Sequence, residues 1–201
     1  MLDLVKNIQL NKLINKKVLL RVDFNCPIID GKIMDTSRID LVFDGLKSIS
    51  EICSNLIILT HVGRPKGIAL EKLSLLPIKL YIEKKLEKEI LFFTSIFKLK
   101  NYLEKNKSSG NIFLLENLRF DRREEENDIN FAKELADLGE IYVNDAFSCS
   151  HRKHASVATI PTLMESYAGF HMIKELDAFN RFFDTPKGPM TAIVGGSKIS
   201  T

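Results

Sequence analysis

The stretch that decides the fold reads Val18-Leu19-Leu20-Arg21-Val22-Asp23-Phe24-Asn25-Cys26-Pro27. It begins as an apolar run and ends in a carboxylate, an amide and a proline, which predicts a buried parallel strand that stops at a polar edge of a sheet. Ligands of open α/β sheets bind beyond the carboxyl ends of the strands, so Asp23 and Asn25 stand where a ligand would be met. The competing interpretation is a plain strand-to-loop transition, because Asp and Asn are also common turn residues.

Strand and helix patterns alternate along the rest of the chain. Short apolar runs predict further strands at 56–60, 90–93, 112–115 and 141–143. Helical spacing fills the intervals: one helix follows the capping residues Asp35-Thr36-Ser37, and Ser74 caps another that extends to about Lys88. Because parallel strands joined in this way need right-handed crossovers, we expect a three-layer α/β fold, a doubly wound, Rossmann-like parallel sheet with helices on both faces.

Two connections carry more specific expectations. The run from Arg122 to Glu126 is most simply a solvated connection. After it, Phe131, Leu135 and Leu138 form one helix face, which Gly139 is expected to close at its C′ position.

Composition places the chain among ordinary globular proteins. Of its 201 residues, 45% are hydrophobic and 27% are charged, which suffices for a sizeable core. The formal net charge of +3 is small and scattered along the sequence, so it indicates neither nucleic acid nor a membrane surface as a partner. Any anion site must be local.

Cysteine usage and the first residues bear on the cellular compartment. The three cysteines, Cys26, Cys53 and Cys149, form no Cys-x-x-Cys pair, which argues against a disulfide framework or a zinc site and favours a reducing compartment. The segment from Met1 to Lys6 lacks the apolar run of a signal peptide, and no later segment approaches a membrane span. We therefore expect a cytoplasmic protein.

Polar and basic side chains follow the predicted strands one after another. Because the carboxyl ends of parallel strands meet at one edge of a sheet, we expect these side chains to converge. They are Asp23, Asn25, His61, Arg64, Arg119, Asp145, His151 and Arg152. Arginine presents a planar fork of donors that binds phosphate or carboxylate oxygens in pairs, so the set fits a small, highly charged anion. Chance assignment of strand boundaries is the alternative explanation.

Other chemistries have less support. Ser148, Cys149 and Ser150 have no dedicated base other than His151, which disfavours covalent catalysis. His151 and His154 are spaced as metal ligands on a helix can be, but no Cys or Glu stands in ligand register, and two surface or substrate-facing imidazoles are the simpler interpretation. Cys149 could be reactive beside cations, although most such cysteines are passive.

The last part of the chain changes direction. Residues 169–183 are expected to form a helix, and the Pro- and Gly-containing segment from Asp184 to Pro189 breaks it. Met190 to Val194 then starts a new strand. The turn that follows, Gly195-Gly196-Ser197-Lys198, has amides and a lysine that could cradle phosphate, although its spacing is not that of a Walker A loop.

Six motifs, in this order along the chain, resemble those of the phosphoglycerate kinase family. They are Arg21-Val22-Asp23-Phe24-Asn25, His61-Val62-Gly63-Arg64-Pro65, Leu115-Glu116-Asn117-Leu118-Arg119-Phe120, Tyr142-Val143-Asn144-Asp145-Ala146-Phe147, His151-Arg152-Lys153-His154-Ala155-Ser156 and Gly195-Gly196-Ser197-Lys198. The resemblance implies a substrate-binding N-terminal domain at 1–168, an interdomain hinge helix and linker at 169–188, and the first strand and glycine turn of a truncated nucleotide-binding domain at 189–201.

The resemblance also implies an activity. The family is a two-domain hinge kinase that transfers the acyl phosphate of 1,3-bisphosphoglycerate to ADP, giving 3-phosphoglycerate and ATP in glycolysis, with Mg²⁺ on the nucleotide. Arg38 and Lys198 would be catalytic, and Gly195, Gly196 and Lys198 would contact the nucleotide. Substrate binding would fall to a set that we call the basic patch: Asp23, Phe24, Asn25, Arg38, His61, Arg64, Arg119 and Arg152. No metal ligand is implied within this chain, and the full-length family is expected to be monomeric.

Two departures from the family pattern bear on activity. Ser148-Cys149-Ser150 replaces smaller residues expected before His151. The adenine pocket, a second lysine and the magnesium-binding carboxylate would lie beyond Thr201. ATP or ADP is therefore expected to bind only if the C-terminal half is supplied, and the chain alone should bind 3-phosphoglycerate with little or no turnover.

One alternative stays open, and a second is disfavoured by the sequence. One is a non-catalytic anion-binding module left by gene truncation. The other is a nicotinamide dehydrogenase, which the fold class suggests but which lacks the expected Gly-x-Gly-x-x-Gly after the first strand.

Overall fold

A computed structural model describes residues 7–184 and residue 188. The strands are β1 (Lys17–Arg21), β2 (Ile28–Ile29), β3 (Lys32–Ile33), β4 (Asn55–Leu59), β5 (Ile90–Phe93), β6 (Asn111–Leu115), β7 (Ile141–Asn144) and β8 (Ser166–Ala168). The helices are α1 (Leu10–Leu13), α2 (Ser37–Ile52), α3 (Leu76–Leu86), α4 (Ile96–Lys105), α5 (Arg122–Glu125), α6 (Ile129–Ala136), α7 (Ile160–Leu163) and α8 (Phe170–Asp184). The predicted strand at 190–194 and the turn at 195–198 lie outside the described residues.

β1 lies inside a six-stranded parallel sheet with the order β5-β6-β4-β1-β7-β8. It pairs with β4 on one side and with β7 on the other, so that Leu20 is in register with both Ile58 and Val143. The direction of winding reverses between β1 and β7, and the crevice at such a reversal is where doubly wound sheets bind ligands. The predicted Rossmann-like α/β fold is confirmed.

Alternate residues of β1 enter opposite core layers, as the pleat of a strand requires. Val18 and Leu20 pack in the layer that contains α2 and α3, and Leu19 packs in the layer that contains α4 and α6. The face of α2 predicted from helical spacing is buried in the first layer: Ile39, Val42, Leu46 and Ile49, followed by Cys53. Cover on both faces explains why β1 has a continuous apolar run rather than alternation.

Helix ends agree with the sequence to within a few residues. α3 begins at Leu76, after Ser74, and stops at Leu86 because Glu87 adopts a left-handed φ of 55°. α8 occupies almost the predicted range. Among the described residues, no helix combines the length and the apolar character needed to cross a membrane.

The sequence patterns predict neither the hairpin formed by β2 and β3 nor the strand β8. Asp30 and Gly31 both have positive φ, 47° and 73°, and they form the two-residue turn of a hairpin between β2 and β3. β8 extends the sheet beside β7. It has three residues, which is too few for a periodic pattern to reveal.

Two expectations about connections are wrong. The segment from Arg122 to Glu126 is not simply solvated: it forms α5, in which Glu124 is fully buried. Gly139 does not close α6, which ends earlier, at Ala136. Gly139 instead lies against β1, where a Cβ atom would be 2.7 Å from Leu19 Cγ, so its missing side chain permits the close approach of the two segments.

Candidate functional site

Four loops meet at the carboxyl edge of the sheet, next to the junction of β1 and β7. They follow β1, β4, β6 and β7. All eight members of the basic patch lie on these loops or, for Arg38, in the first turn of α2.

Asp23 connects three segments of the patch. Its Oδ2 accepts hydrogen bonds from Arg38 Nη1 and Ser148 Oγ, and its Oδ1 accepts one from the backbone N–H of Asn25 at 3.0 Å. Asp23 is 8% exposed, whereas about half of the Arg38 side chain is exposed. The carboxylate therefore orients a guanidinium that still faces solvent, and Ser148 joins the loop after β7 to the end of β1.

The backbone of Gly63 fixes two further members of the patch. Its N–H donates to Asn25 Oδ1 at 2.8 Å, and its carbonyl accepts from Arg119 Nη1 at 2.8 Å. Gly63 has a left-handed φ of +66°, and a Cβ atom there would lie 2.8 Å from Leu73 Cδ2. The loop after β4 thus depends on a residue without a side chain. Arg64, the next residue, is exposed.

A buried arginine holds His61. Arg21 is fully buried, and its Nη2 lies 3.1 Å from His61 Nδ1. Because a guanidinium only donates, Nδ1 accepts, and the neutral ring carries its hydrogen on Nε2. Burial and then the positive charges of Arg21 and Arg119 hold the pKa of His61 far below its usual range, so the imidazole stays neutral.

Behind Arg21 lies a buried carboxylate. Arg21 Nε donates to Ser156 Oγ at 3.0 Å, and Ser156 Oγ donates to Glu124 Oε1 at 2.5 Å. The backbone N–H of Ser156 donates to Glu124 Oε2 at 2.9 Å. Burial raises the pKa of Glu124, while the charge of Arg21 opposes that rise. Glu124 therefore closes a hydrogen-bonded chain that runs from the interior of the protein to His61.

His154 lies beside the same carboxylate. Its Nδ1 is 4.0 Å from Glu124 Oε1, beyond hydrogen-bond distance. Burial and the positive charge of Arg119 lower the pKa of His154 to about 4. At neutral pH this imidazole is uncharged.

Arg119, a cationic member of the patch, has an N–H group that no acceptor in the described residues satisfies. Arg119 is 3% exposed, and its Nε is buried with no hydrogen-bond acceptor within the described part of the chain; Glu125 Oε1 lies 3.5 Å away. Burial lowers the pKa of Arg119, and Arg152 nearby acts in the same direction. Anionic oxygens brought by a ligand would offset this cost of holding cations out of water.

Phe24 and Asp145, which the sequence places at this edge, have buried side chains that contact neighbouring parts of the fold. Phe24 has its side chain fully buried in the core, and its N–H donates to Thr60 Oγ1 at 3.0 Å. It holds the strand end on which Asp23 and Asn25 lie. Asp145 is buried as well: it lines a cavity with Asp23 and Arg38, and its carboxylate accepts a hydrogen bond from the first turn of α8.

The donor atoms here do not suit a metal ion. Asp23, His61 and Cys149 each bring one potential ligand atom to within 4.8 Å of the other two. However, Arg21 occupies Nδ1 of His61, so Nε2 carries the hydrogen and offers no lone pair. Arg38 occupies the carboxylate, and the surrounding guanidiniums repel a cation. The arrangement favours an anion.

No part in the site is assigned from the sequence to three of its residues: Arg21 and Ser156, which belong to quoted motifs, and Glu124. Arg21 did carry a signal, because a charged residue inside a buried apolar run needs a partner. Ser156 ends one of the quoted motifs and Glu124 lies in a charged run, but neither local sequence indicates a contact with Arg21, which only the fold creates.

Comparison with known proteins gives one consistent result. The family model described as phosphoglycerate kinase matches residues 6–201. Phosphoglycerate kinases from Wolbachia pipientis subsp. Culex pipiens and Helicobacter pylori are 45% and 44% identical to the chain over 188 and 200 residues, covering 93% and 98% of it. These alignments cover 47% and 49% of the two relatives, so the chain spans about half of their length. The solved structure of phosphoglycerate kinase from Coxiella burnetii aligns with a TM-score of 0.82 at 35% identity, over 94% of this chain and 47% of that one.

Proposed function

Because the chain belongs to the phosphoglycerate kinase family, we propose that its basic patch binds 3-phosphoglycerate or 1,3-bisphosphoglycerate and presents it for direct in-line phosphoryl transfer after hinge closure. The family consists of kinases, phosphotransferases of glycolysis that use a carboxyl group as acceptor. One observation carries the proposal furthest: Arg38 and His61 lie beside Asp23 at the sheet's switch point, and Arg119, whose charge acts on His61, has a buried guanidinium N–H left without an acceptor in the described chain.

The charges of the patch support a ligand with an anionic group at each end. Arg38, Arg64 and Arg152 are at least partly exposed, and each can offer two parallel N–H groups to phosphate or carboxylate oxygens. Asp23 supplies an acceptor among them, which suits a ligand that also carries a hydroxyl group. 3-Phosphoglycerate has a phosphate, a hydroxyl and a carboxylate.

The proposed chemistry needs no nucleophile from the protein. The carboxylate of 3-phosphoglycerate attacks the phosphoryl group, and a loose transition state is served by positioning and by fixed positive charge. We assign the catalytic contact in the described part to Arg38, since its guanidinium is oriented by Asp23 yet open to solvent. Lys198, with Gly195 and Gly196, is proposed to meet the nucleotide; these residues lie outside the described part.

Magnesium with ATP or ADP is proposed to bind elsewhere. The Asp23, His61 and Cys149 group does not fit the ion, for the reasons given above. We therefore assign Mg²⁺ and the nucleotide mainly to the half of the relatives that this chain does not span. The chain alone is proposed to bind the triose substrate and to turn over little or not at all.

Cellular context follows from the same family. We propose a cytoplasmic enzyme that is monomeric at full length and has neither a nucleic acid nor a membrane as partner.

The second candidate is a non-catalytic anion-binding module. It applies to the 201-residue chain taken by itself, which matches about half of each relative. Calorimetry of the purified 201-residue chain with 3-phosphoglycerate and, separately, with magnesium–ATP, beside a coupled assay of phosphoryl transfer, separates the candidates. Binding of 3-phosphoglycerate without ATP binding or turnover marks an isolated substrate domain. Turnover with both ligands bound excludes the module, and absence of 3-phosphoglycerate binding contradicts the proposed site.

A further inference from the structure

A hydrogen-bonded chain of four buried residues ends at the patch. It runs from Glu124 through Ser156 and Arg21 to His61, and each of the four is at most 2% exposed. Its members come from α5, the segment before α7, β1 and the loop after β4. A charged pair held this deep costs free energy unless its hydrogen bonds are satisfied, so such a chain is expected to serve a specific purpose.

We propose that Arg21 is a positioning residue: acting through this chain, it fixes His61 as the neutral tautomer that carries its hydrogen on Nε2, so that His61 offers a bound anion a hydrogen-bond donor. The inference rests on the proposed function only in naming the anion, 3-phosphoglycerate.

The direction of each hydrogen bond that Arg21 makes is determined, because a guanidinium only donates. Ser156 Oγ has one hydrogen, which it donates to Glu124 Oε1, so it must accept from Arg21 Nε. Arg21 Nη1 donates to the carbonyl of Val22, which sets the plane of the guanidinium. The remaining guanidinium nitrogen, Nη2, can only donate a hydrogen bond, so His61 Nδ1 must accept it. Reversal of the histidine tautomer would place two hydrogens against each other.

Charges that face His61 keep it neutral as well as oriented. Besides burial, positive groups approach from three elements: Arg21 on β1, Arg119 after β6, and Arg152 after β7, where the uncharged imidazole of His154 also lies. Asp23 and Cys149 also lie close to the ring. The carboxylate of Asp23 would favour protonation of the imidazole, but it is already paired with Arg38 and Ser148. A neutral N–H group among arginines donates a hydrogen bond to an anionic oxygen without adding another buried cation.

The test reads the histidine tautomer directly, without any ligand. Long-range ¹H–¹⁵N NMR on the ¹⁵N-labelled 201-residue chain distinguishes a protonated ring nitrogen from an unprotonated one, and His61→Gln assigns the signal among the four histidines. We expect hydrogen on Nε2 alone in the unmodified protein, unchanged down to about pH 5. Hydrogen on Nδ1, or an ordinary titration between pH 6 and 7, would overturn the inference.

Variants test whether Arg21 is responsible. Arg21→Lys keeps the charge but cannot serve Ser156, Val22 and His61 in one plane, so we expect a mixture of tautomers. Ser156→Ala removes one anchor of the guanidinium and is expected to shift the same signal, whereas Ser48→Ala, whose hydroxyl bonds only to Asp44 of its own helix, is expected to leave it unchanged. An unshifted tautomer in a folded Ser156→Ala protein counts against the role of the chain, even where Arg21→Lys does not fold.

Affinity measurements on the same variants test whether the tautomer of His61 affects ligand binding. If half of the molecules carry the wrong tautomer, the apparent affinity for 3-phosphoglycerate falls about twofold from population alone. A folded variant with mixed tautomers and undiminished affinity contradicts the inference while leaving the proposed function intact. Failure of the unmodified chain to bind 3-phosphoglycerate contradicts the proposed function, while the tautomer measurement still decides the role of Arg21.

Discussion

Asp145, at the end of β7, accepts a hydrogen bond at 2.9 Å from the backbone N–H of Met172, in the first turn of α8. Asp145 is 2% exposed, and the fit is close, since a Cβ atom on Gly169 would lie 2.4 Å from Asp145 Cγ. A strand that ends beside the basic patch is thereby fixed to the helix that the sequence places between two domains. The loop that follows this strand contains Ser148, whose hydroxyl donates a hydrogen bond to Asp23.

Asp145→Ala should destabilise the protein. The change removes the carboxylate that satisfies the start of α8 and opens a gap beside Gly169, and loss of a helix cap alone costs about 1–2 kcal/mol. Urea unfolding measures the free-energy change. Asp177→Ala, an exposed position on the same helix, is the control and should change stability by no more than about 0.5 kcal/mol. Equal effects of the two changes would contradict the capping role.

Gly63→Ala should lower both stability and ligand affinity. The added Cβ meets Leu73 Cδ2 at 2.8 Å in a backbone with φ of +66°, and the shift that follows moves the groups that hold Asn25 and Arg119. Gly110→Ala separates the two causes, because Gly110 has φ of +85° with no atom within 4 Å of the added Cβ. We expect about 1 kcal/mol for Gly110→Ala, from backbone strain alone, and a larger loss for Gly63→Ala. Chemical denaturation followed by calorimetry gives both quantities.

Arg38→Ala should weaken binding of 3-phosphoglycerate about tenfold to a hundredfold, since a hydrogen bond to a charged group is worth about 1.5–3 kcal/mol. The matched control is Arg122→Ala, which removes an exposed guanidinium bonded to Glu126 outside the patch. Calorimetric titration at two salt concentrations provides the comparison, and binding to the unmodified chain should weaken with salt. Unchanged affinity in Arg38→Ala would remove this residue from the site.

His154 should make stability depend on pH. Its pKa is lowered from 6.5 to about 4 in the folded protein, so the unfolded chain binds more protons between these two values. Its contribution is therefore fully present above pH 6.5 and is lost as the pH falls toward 4. His154→Gln should flatten that part of the profile, by an amount on the order of 1 kcal/mol after allowance for solvent screening. Unfolding free energies of both proteins between pH 4 and 7 test this; parallel profiles would contradict it.

The sequence predicts the fold because its signals are local. The apolar runs that became β1, β4, β5, β6 and β7 each carry their own pattern, and parallel pairing follows from the helices between them. The same logic places Asp23, Asn25, His61 and Arg119 at one edge, where the structure brings them together. Phe24 shows that membership of a motif does not establish contact with a ligand, because its ring is fully buried in the core.

What the sequence does not predict depends on contacts between distant residues. Arg21 and Ser156 are 135 positions apart, and Glu124 is buried where it bonds to Ser156. A short charged helix with no apolar face gives no local sign that one of its four residues will be enclosed. β8 is similar, because its three residues form a strand only where β7 offers an open edge.

The position of β1 has a consequence for how the chain folds. Val18 pairs with Leu56 on one side and with Ile141 on the other, so one edge of this strand finds its neighbour early in synthesis and the other waits for most of the chain. Until β7 emerges, that second edge exposes unpaired backbone groups in a highly apolar segment. Pairing of β1 with β7 is therefore a long-range step, which should slow folding and leave an aggregation-prone strand edge until the sheet closes around β1.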